Sequence, residues 1–189
     1  MTGLRSDARR NHEQLARAAV TALHREGHAV PMTTIAAEAG VGVGTLYRHF
    51  PSREDLLDEL TRRSFERMLA RLEAVGAEDA PATDLLRSFL TGVIADRDDL
   101  LLPSTGGPAV RTDATRAVQR RLHDAIGALL ARGAADGTIR RPVDVWDIAW
   151  LGATLAPPGR PGPAWDEVAG RLLETYLAGL GAPPGPDPA

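Results

Sequence analysis

Apolar residues recur along this chain at helical spacing, and no stretch shows the alternation of a half-buried strand. Over 9–27, Leu15, Ala18, Ala19, Ala22 and Leu23 fall at i, i+3, i+4, i+7 and i+8, one stripe of an amphipathic helix that Gly27 ends. Val30 precedes Pro31 and is expected to be extended. Thr33 or Thr34 then caps a short helix running to about Ala39, its hydroxyl accepting from a free backbone N–H. Gly40 takes the left-handed position after that helix. A second short helix is predicted over 43–50, closed by Pro51. Ser52 predicts the N-cap of a long helix from Arg53 to Val75, with Leu56, Leu60, Ser64, Met68, Leu72 and Val75 down one side. After a break at 77–81, Thr83 is expected to cap a helix carrying Leu85, Leu86, Phe89, Leu90, Val93 and Ile94. Residues 96–110 read as irregular, with an apolar Leu100-Leu101-Leu102 and a turn from Pro103 to Pro108. A helix over about 111–135 spaces Val118, Leu122, Ala125, Ile126, Leu129 and Leu130 helically and stops at Gly137. Asp144 caps a helix of about 145–155, residues 157–163 form a loop, and 164–180 form the last amphipathic helix. The Pro/Gly-rich tail 182–189 is expected to be disordered.

The pattern predicts an all-α chain, and its most informative stretch is 33–53. There two short helices flank a glycine turn, the layout of a helix-turn-helix. Ile35, Leu46 and Phe50 are the apolar positions that knit the pair to the first helix, Ala36 and Ala39 are small enough for a close crossing, and Val41 plugs the turn. Such a pair cannot bury its apolar face alone. It needs Leu15, Ala19 and Leu23 and the start of the long helix at Leu56 and Leu57, so the unit is three helices stacked on the N-terminus of a fourth.

The second helix of this motif lies in the DNA major groove and reads with its N-terminal part. Here that part is Val43, Gly44 and Thr45, with Arg48 one turn on. Arginine bonds guanine O6 and N7 bidentately, worth ~1–3 kcal/mol of discrimination, and a threonine meets a thymine methyl or a phosphate. Tyr47, His49 and Arg53 suit phosphate oxygens, which position without reading sequence, and the N-termini of both short helices offer backbone N–H groups to phosphate. Blander readings stand beside these: His49 as a buried structural histidine, Arg48 as a solvated face residue, Tyr47 as half core. The spacing Gly40-x-Gly42-x-Gly44 superficially resembles a nucleotide-binding loop, but no strand precedes it.

Charge sharpens the picture. The net charge is −3, which looks wrong for a DNA binder. Residues 1–53 nevertheless carry +3 and residues 54–189 carry −6, and four of the five histidines lie in the first part. A basic head on an acidic body is the asymmetry expected when one face meets phosphate. All 22 basic side chains are arginine. With no cysteine the chain holds no disulfide and no thiolate metal site, which suits the cytoplasm. Residues 1–30 lack the apolar core of a signal peptide, and no apolar run reaches the ~18–20 residues needed to span a bilayer. No metal-binding, serine-hydrolase or Cys–His pattern is present, so catalytic residues, metal and cofactor are all expected to be absent. A helical dimer whose helix-turn-helix makes only protein contacts is the remaining rival.

The run Ala39-Gly-Val-Gly-Val-Gly-Thr-Leu-Tyr-Arg-His-Phe-Pro-Ser-Arg-Glu-Asp-Leu-Leu57 resembles the signature of the TetR family of bacterial transcriptional regulators, and the resemblance covers about residues 9–60. It implies an N-terminal helix-turn-helix DNA-binding domain (1–53), followed by a C-terminal helical effector-binding and dimerisation domain (54–181). It also implies a homodimer that binds a palindromic operator on double-stranded DNA, commonly as a repressor, and lets go when a small molecule enters the C-terminal domain. By position, Thr45 and Arg48 fall where family members often meet bases, Tyr47, His49 and Arg53 where they often meet phosphates, and Thr34 near the phosphate-facing start of the first short helix. Two departures stand out. Gly42 replaces a common capping Ser or Thr, and Val43 replaces a common Lys or Arg. The stretch from Asp136 to Ile148 resembles a pattern common in actinobacterial members.

The resemblance also implies that the last two helices pair with their copies in a dimer. Trp146, Ile148, Leu151, Leu172, Tyr176 and Leu180 are candidates for that face or, equally, for core. An effector pocket among the helices would draw on Phe65, Leu86, Phe89, Leu102, His123, Ile126 and Trp150, of which His123 is the lone polar group on a mostly apolar helix.

Overall fold

A computed structural model describes residues 2–27, 29–103, 107–159 and 162–181, with side chains described from His12 onward. The described residues form helices α1 (Thr2–Glu26), α2 (Met32–Glu38), α3 (Val43–His49), α4 (Arg53–Gly76), α5 (Ala82–Ala95), α6 (Asp113–Asp136), α7 (Val145–Leu155) and α8 (Gly162–Gly181), and a 3-10 turn (Arg97–Asp99). No strand occurs among them. The expected tail 182–189 lies outside the described residues.

Two apolar cores divide the chain. Leu15, Ala19, Leu23, Ile35, Leu46, Phe50, Leu56 and Leu60 gather into the first, which packs α1–α3 on the start of α4. A boundary at residue 53 therefore falls at the head of a shared helix, and the first core draws on two turns of α4. The second core joins the rest of α4 to α5–α8 through Phe65, Leu69, Leu86, Phe89, Ile126, Ile148 and Leu173 among others.

Local chemistry explains most of the ends. Gly40 has φ +67°, a conformation cheap only for glycine. There Gly40 N–H donates to Ala37 O at 3.0 Å and Val41 N–H to Ala36 O at 2.9 Å, the paired bonds of a Schellman turn that reverses the chain between α2 and α3. Ser52 Oγ accepts from Asp55 N–H at 3.0 Å while Asp55 Oδ2 accepts from Ser52 N–H at 3.1 Å, a capping box that starts α4. Asp144 and Asp147 repeat the device at α7.

Two expected caps do not form. Neither Thr33 nor Thr34 caps α2; the helix begins at Met32 behind Pro31, whose extended ψ of 148° delivers the chain straight into the first turn. Thr83 likewise lies inside α5, behind Pro81. The Ala82 N–H finds its acceptor far away in sequence, at Asp136 Oδ2, 3.0 Å off at the end of α6. In addition α1 begins at Thr2 rather than near residue 9, and α8 begins at Gly162 rather than 164.

The connection after α5 links the two cores. Leu100 is extended (φ −103°, ψ 137°), and in extended chain successive side chains point to opposite faces. Leu100 and Leu102 accordingly enter the second core and Leu101 the first. Leu101 N–H donates to Ser64 Oγ at 2.8 Å, and that hydroxyl donates to Leu60 O at 2.9 Å, which fixes the segment against the middle of α4. We call 100–102 the strap.

Candidate nucleic-acid interface and internal cavity

Leu46, with Phe50 just beyond the helix, anchors α3 by burial, and this leaves the remaining positions of the helix outward. Gly44, Tyr47, Arg48 and His49 are exposed, Tyr47 to 46%, and Val43 is partly exposed; Thr45 is half-buried. Thr45 and Arg48 are three apart on a helix and so share one stripe. Arg48 has no hydrogen bond or ion pair among the described residues, which leaves its five donors for a partner. Thr34, half-buried, sits in the first turn of α2. Gly42 sits at the N-cap of α3 with no side-chain bond to the first turn, as its lack of a hydroxyl predicts.

His49 is not a buried structural histidine. Its ring lies 5.4 Å from that of His12, with the two Nδ1 atoms 3.4 Å apart, and the His12 ring lies 5.1 Å from Phe50. Such a bond needs one nitrogen bare and the other protonated. Burial and the nearby Arg63 push the His12 pKa down, against the pull of Glu59. Nothing in sequence spacing links residues 12 and 49; only the crossing of α1 and α3 brings them together.

Arg53, expected to meet a phosphate, makes an internal bond that its sequence neighbours do not announce. Its Nη1 donates to the Val30 carbonyl, and its Nη2 is buried without an acceptor. In this arrangement the side chain ties the start of α4 to the segment before α2.

A cavity of about 240 Å³ lies in the second core. Of the expected lining residues, Phe65, Phe89, Leu102, His123, Ile126 and Trp150 border it. Leu86 does not, although it lies one turn before Phe89 on α5; it is wholly buried in the surrounding core. Sequence reading missed Met68, Arg97, Gln119 and Trp146 at the wall. Gln119 and His123 are four apart on α6, and Trp146 and Trp150 four apart on α7, so helical spacing held that signal. The His123 ring meets the Trp146 ring edge-on with centroids 4.9 Å apart, and burial pushes the His123 pKa down against a weaker upward pull from Asp124. Trp146 and Trp150 are 57% and 61% exposed, so they form a rim as well as a wall. Leu172 on α8 is 48% exposed, whereas Ile148 and Leu180 are core, and Leu151 and Tyr176 are half-buried.

Among the described residues no cluster of His, Cys, Asp or Glu could hold a metal ion, and no helix is long and apolar enough to cross a membrane.

Comparison with known proteins agrees with this geometry. A family model described as bacterial regulatory proteins, tetR family, matches residues 15–60, the segment that supplies all of the first core except Leu101. The HTH-type transcriptional repressor KstR of Mycobacterium tuberculosis is 32% identical over 165 residues, spanning 78% of this chain and 74% of that protein. Among solved structures, the TetR transcriptional regulator SCO0520 from Streptomyces coelicolor is 31% identical with a TM-score of 0.58, covering 89% of this chain and 97% of the other. The TetR transcription regulatory protein from Mycobacterium vanbaalenii is 27% identical with a TM-score of 0.64, covering 94% and 98%. The matches to these relatives, unlike that of the family model, run well beyond the helix-turn-helix, and with them the chain belongs to the TetR family of bacterial transcriptional regulators.

Proposed function

We propose that this regulator is a cytoplasmic repressor that binds a palindromic operator as a homodimer and is released when a small molecule fills the cavity beside the strap. The observation that carries this reading is the strap itself. Leu102 and Leu100 line the cavity, while Leu101 between them belongs to the core under the reading helix. A ligand that displaces the outer two leucines therefore acts on the middle one, and a ligand binding one strap position better than the other shifts the equilibrium between them.

On the DNA, Thr45 and Arg48 read base edges, with Val43 and Gly44 letting the start of α3 approach the groove closely. Thr34, Tyr47 and His49 hold phosphates. Arg53 is assigned to the integrity of the head, on the strength of its bond to Val30. The division into a DNA-binding head (1–53, completed by the first turns of α4) and an effector and dimerisation body (54–181) follows the two cores. The exposed Trp146 and Leu172 on the last two helices support α7 and α8 as the dimer face, since large apolar side chains at such exposure favour a partner.

Selection from random duplexes, followed by challenge of the complex with a metabolite library, tests the whole reading. An enriched palindrome and at least one compound that releases it are expected. No enriched palindrome at any salt concentration sinks the proposal.

A further inference from the structure

Arg97 is out of character with the wall it belongs to. It lies in the 3-10 turn after α5, is only 8% exposed, and borders a mostly apolar cavity, with Phe65, Phe89, Leu102 and Ile126 among its neighbours there. Its Nη1 donates to the Ile94 carbonyl at 2.8 Å and pairs with Asp166 Oδ1 at 2.7 Å. That accounts for one nitrogen of three. Nε is buried with no acceptor, and Nη2 makes no hydrogen bond among the described residues. The edge of the guanidinium that carries Nε and Nη2 is thus left for an acceptor the chain does not supply. Leaving a buried charged donor unmet is costly, and proteins rarely do so without a partner in prospect. Two further polar side chains at the wall, Gln119 and His123, also lack a hydrogen bond among the described residues.

Charge narrows the class of partner. Asp166 already matches the charge of Arg97. A ligand carboxylate would add a second negative charge to a mostly apolar space, where stripping an ion of water is costly unless a free cation meets it. An uncharged oxygen takes the idle N–H groups without that cost. Size narrows it further: a cavity of about 150 Å³ holds benzene, so 240 Å³ suits a body of roughly ten carbons.

We propose that the cavity binds an uncharged, mostly hydrocarbon molecule of roughly ten carbons whose carbonyl or hydroxyl oxygen accepts from the Nε–Nη2 edge of Arg97. This deepens the function proposed above and rests on its reading of the cavity as the effector site.

Three ten-carbon probes separate the possibilities: butylbenzene, 4-phenyl-2-butanone and 4-phenylbutanoate. Binding is followed by calorimetry and by tryptophan emission, since Trp146 and Trp150 border the cavity. The ketone should bind more tightly than the carboxylate. Arg97→Lys keeps a charge for Asp166 but removes the planar edge; it should weaken the ketone at least tenfold while butylbenzene stays within about threefold. Asp166→Asn, at a half-exposed position that threatens folding less, should strip the compensating charge and improve the carboxylate at least fivefold relative to the ketone. Butylbenzene binding together with a ketone affinity indifferent to Arg97→Lys, or a carboxylate preferred by the unmodified protein, overturns the assignment to Arg97 and leaves the cavity as effector site standing. An unchanged carboxylate-to-ketone ratio in Asp166→Asn overturns the charge argument. Failure of all three probes to bind removes the cavity as the effector site and this proposal with it.

Discussion

Arg53→Met distinguishes a phosphate ligand from an internal tie. Methionine keeps much of the apolar stem and deletes only the guanidinium, so packing losses are small. Two opposing energies follow from the structure. The Val30 carbonyl loses a charged donor, worth about 1.5–3 kcal/mol. The buried, unmet Nη2 disappears with it, which returns about 1 kcal/mol or more of desolvation cost. The net loss is then about 1 kcal/mol, or roughly 2–4 °C in the melting temperature of a chain this size. On DNA the two roles diverge cleanly. Each phosphate neutralised contributes about 0.9 to the slope of log affinity against log salt. With Arg53 held at Val30, the slope for an enriched duplex should be unchanged from about 50 to 300 mM salt, and affinity should fall by one common factor at every salt concentration. Fluorescence anisotropy titrations and a thermal melt supply both numbers. A slope reduced by about 0.9 per protomer with an unmoved melting temperature refutes the internal tie, because it means that Arg53 leaves Val30 for the backbone of the operator.

Three further outcomes are expected. Arg48→Ala should relax base preference at one position in each half-site, a loss of ~1–3 kcal/mol in discrimination; repeat selection with an identical enriched motif means that Arg48 reads no base. Leu101→Ala and Leu100→Ala should each cost about 2–5 kcal/mol, yet hydrogen exchange should quicken in α1–α3 for the first and in α5–α7 for the second, and a shared pattern in both variants contradicts the divided strap. Burial keeps His123 below the ordinary imidazole value near 6.5, so the unfolded chain takes its proton first; the stabilisation is complete above about pH 6.5 and is lost as pH falls through the lower folded value. Urea midpoints measured from pH 8 to pH 5 should therefore decline at the acid end and decline less in His123→Gln, and parallel curves for the two proteins count against a buried neutral imidazole.

Features that depend on near neighbours in sequence were legible beforehand. Ser52 and Asp144 lie two or three residues from the N–H groups they serve, and Gly40 announces its left-handed turn by being the residue that bears it cheaply. The cavity wall was partly legible for the same reason, since Phe89 and Ile126 stand out as large apolar residues on amphipathic helices. What escaped depends on distant segments. Thr83 looks like a cap until Asp136, from the far end of α6, is found on the Ala82 amide. Leu86 and Phe89 look alike on α5, and only the packing of the other helices decides which one borders empty space. Arg53 reads as a surface cation next to a DNA-binding helix, and nothing near it in sequence names the Val30 carbonyl as its acceptor. Arg97 carries the same ambiguity, resolved only by Asp166 and Ile94 closing around it.

The strap also limits how this protein can be rearranged by recombination or by engineering. A graft that moves residues 1–60 onto another helical body carries every visible part of the reading head but leaves Leu101 behind, and with it one side chain of the head's own core. Such a hybrid would start from a leucine-sized void unless the recipient offers an apolar residue at the same place in its own connecting segment. Length matters as much as identity there. Because extended chain alternates its faces, inserting one residue between Asp99 and Leu100 would exchange the owners of the three leucines, turning two toward the head and one toward the body. The head and body of this regulator are therefore inherited as a matched set, with the match written in the parity of a three-residue stretch.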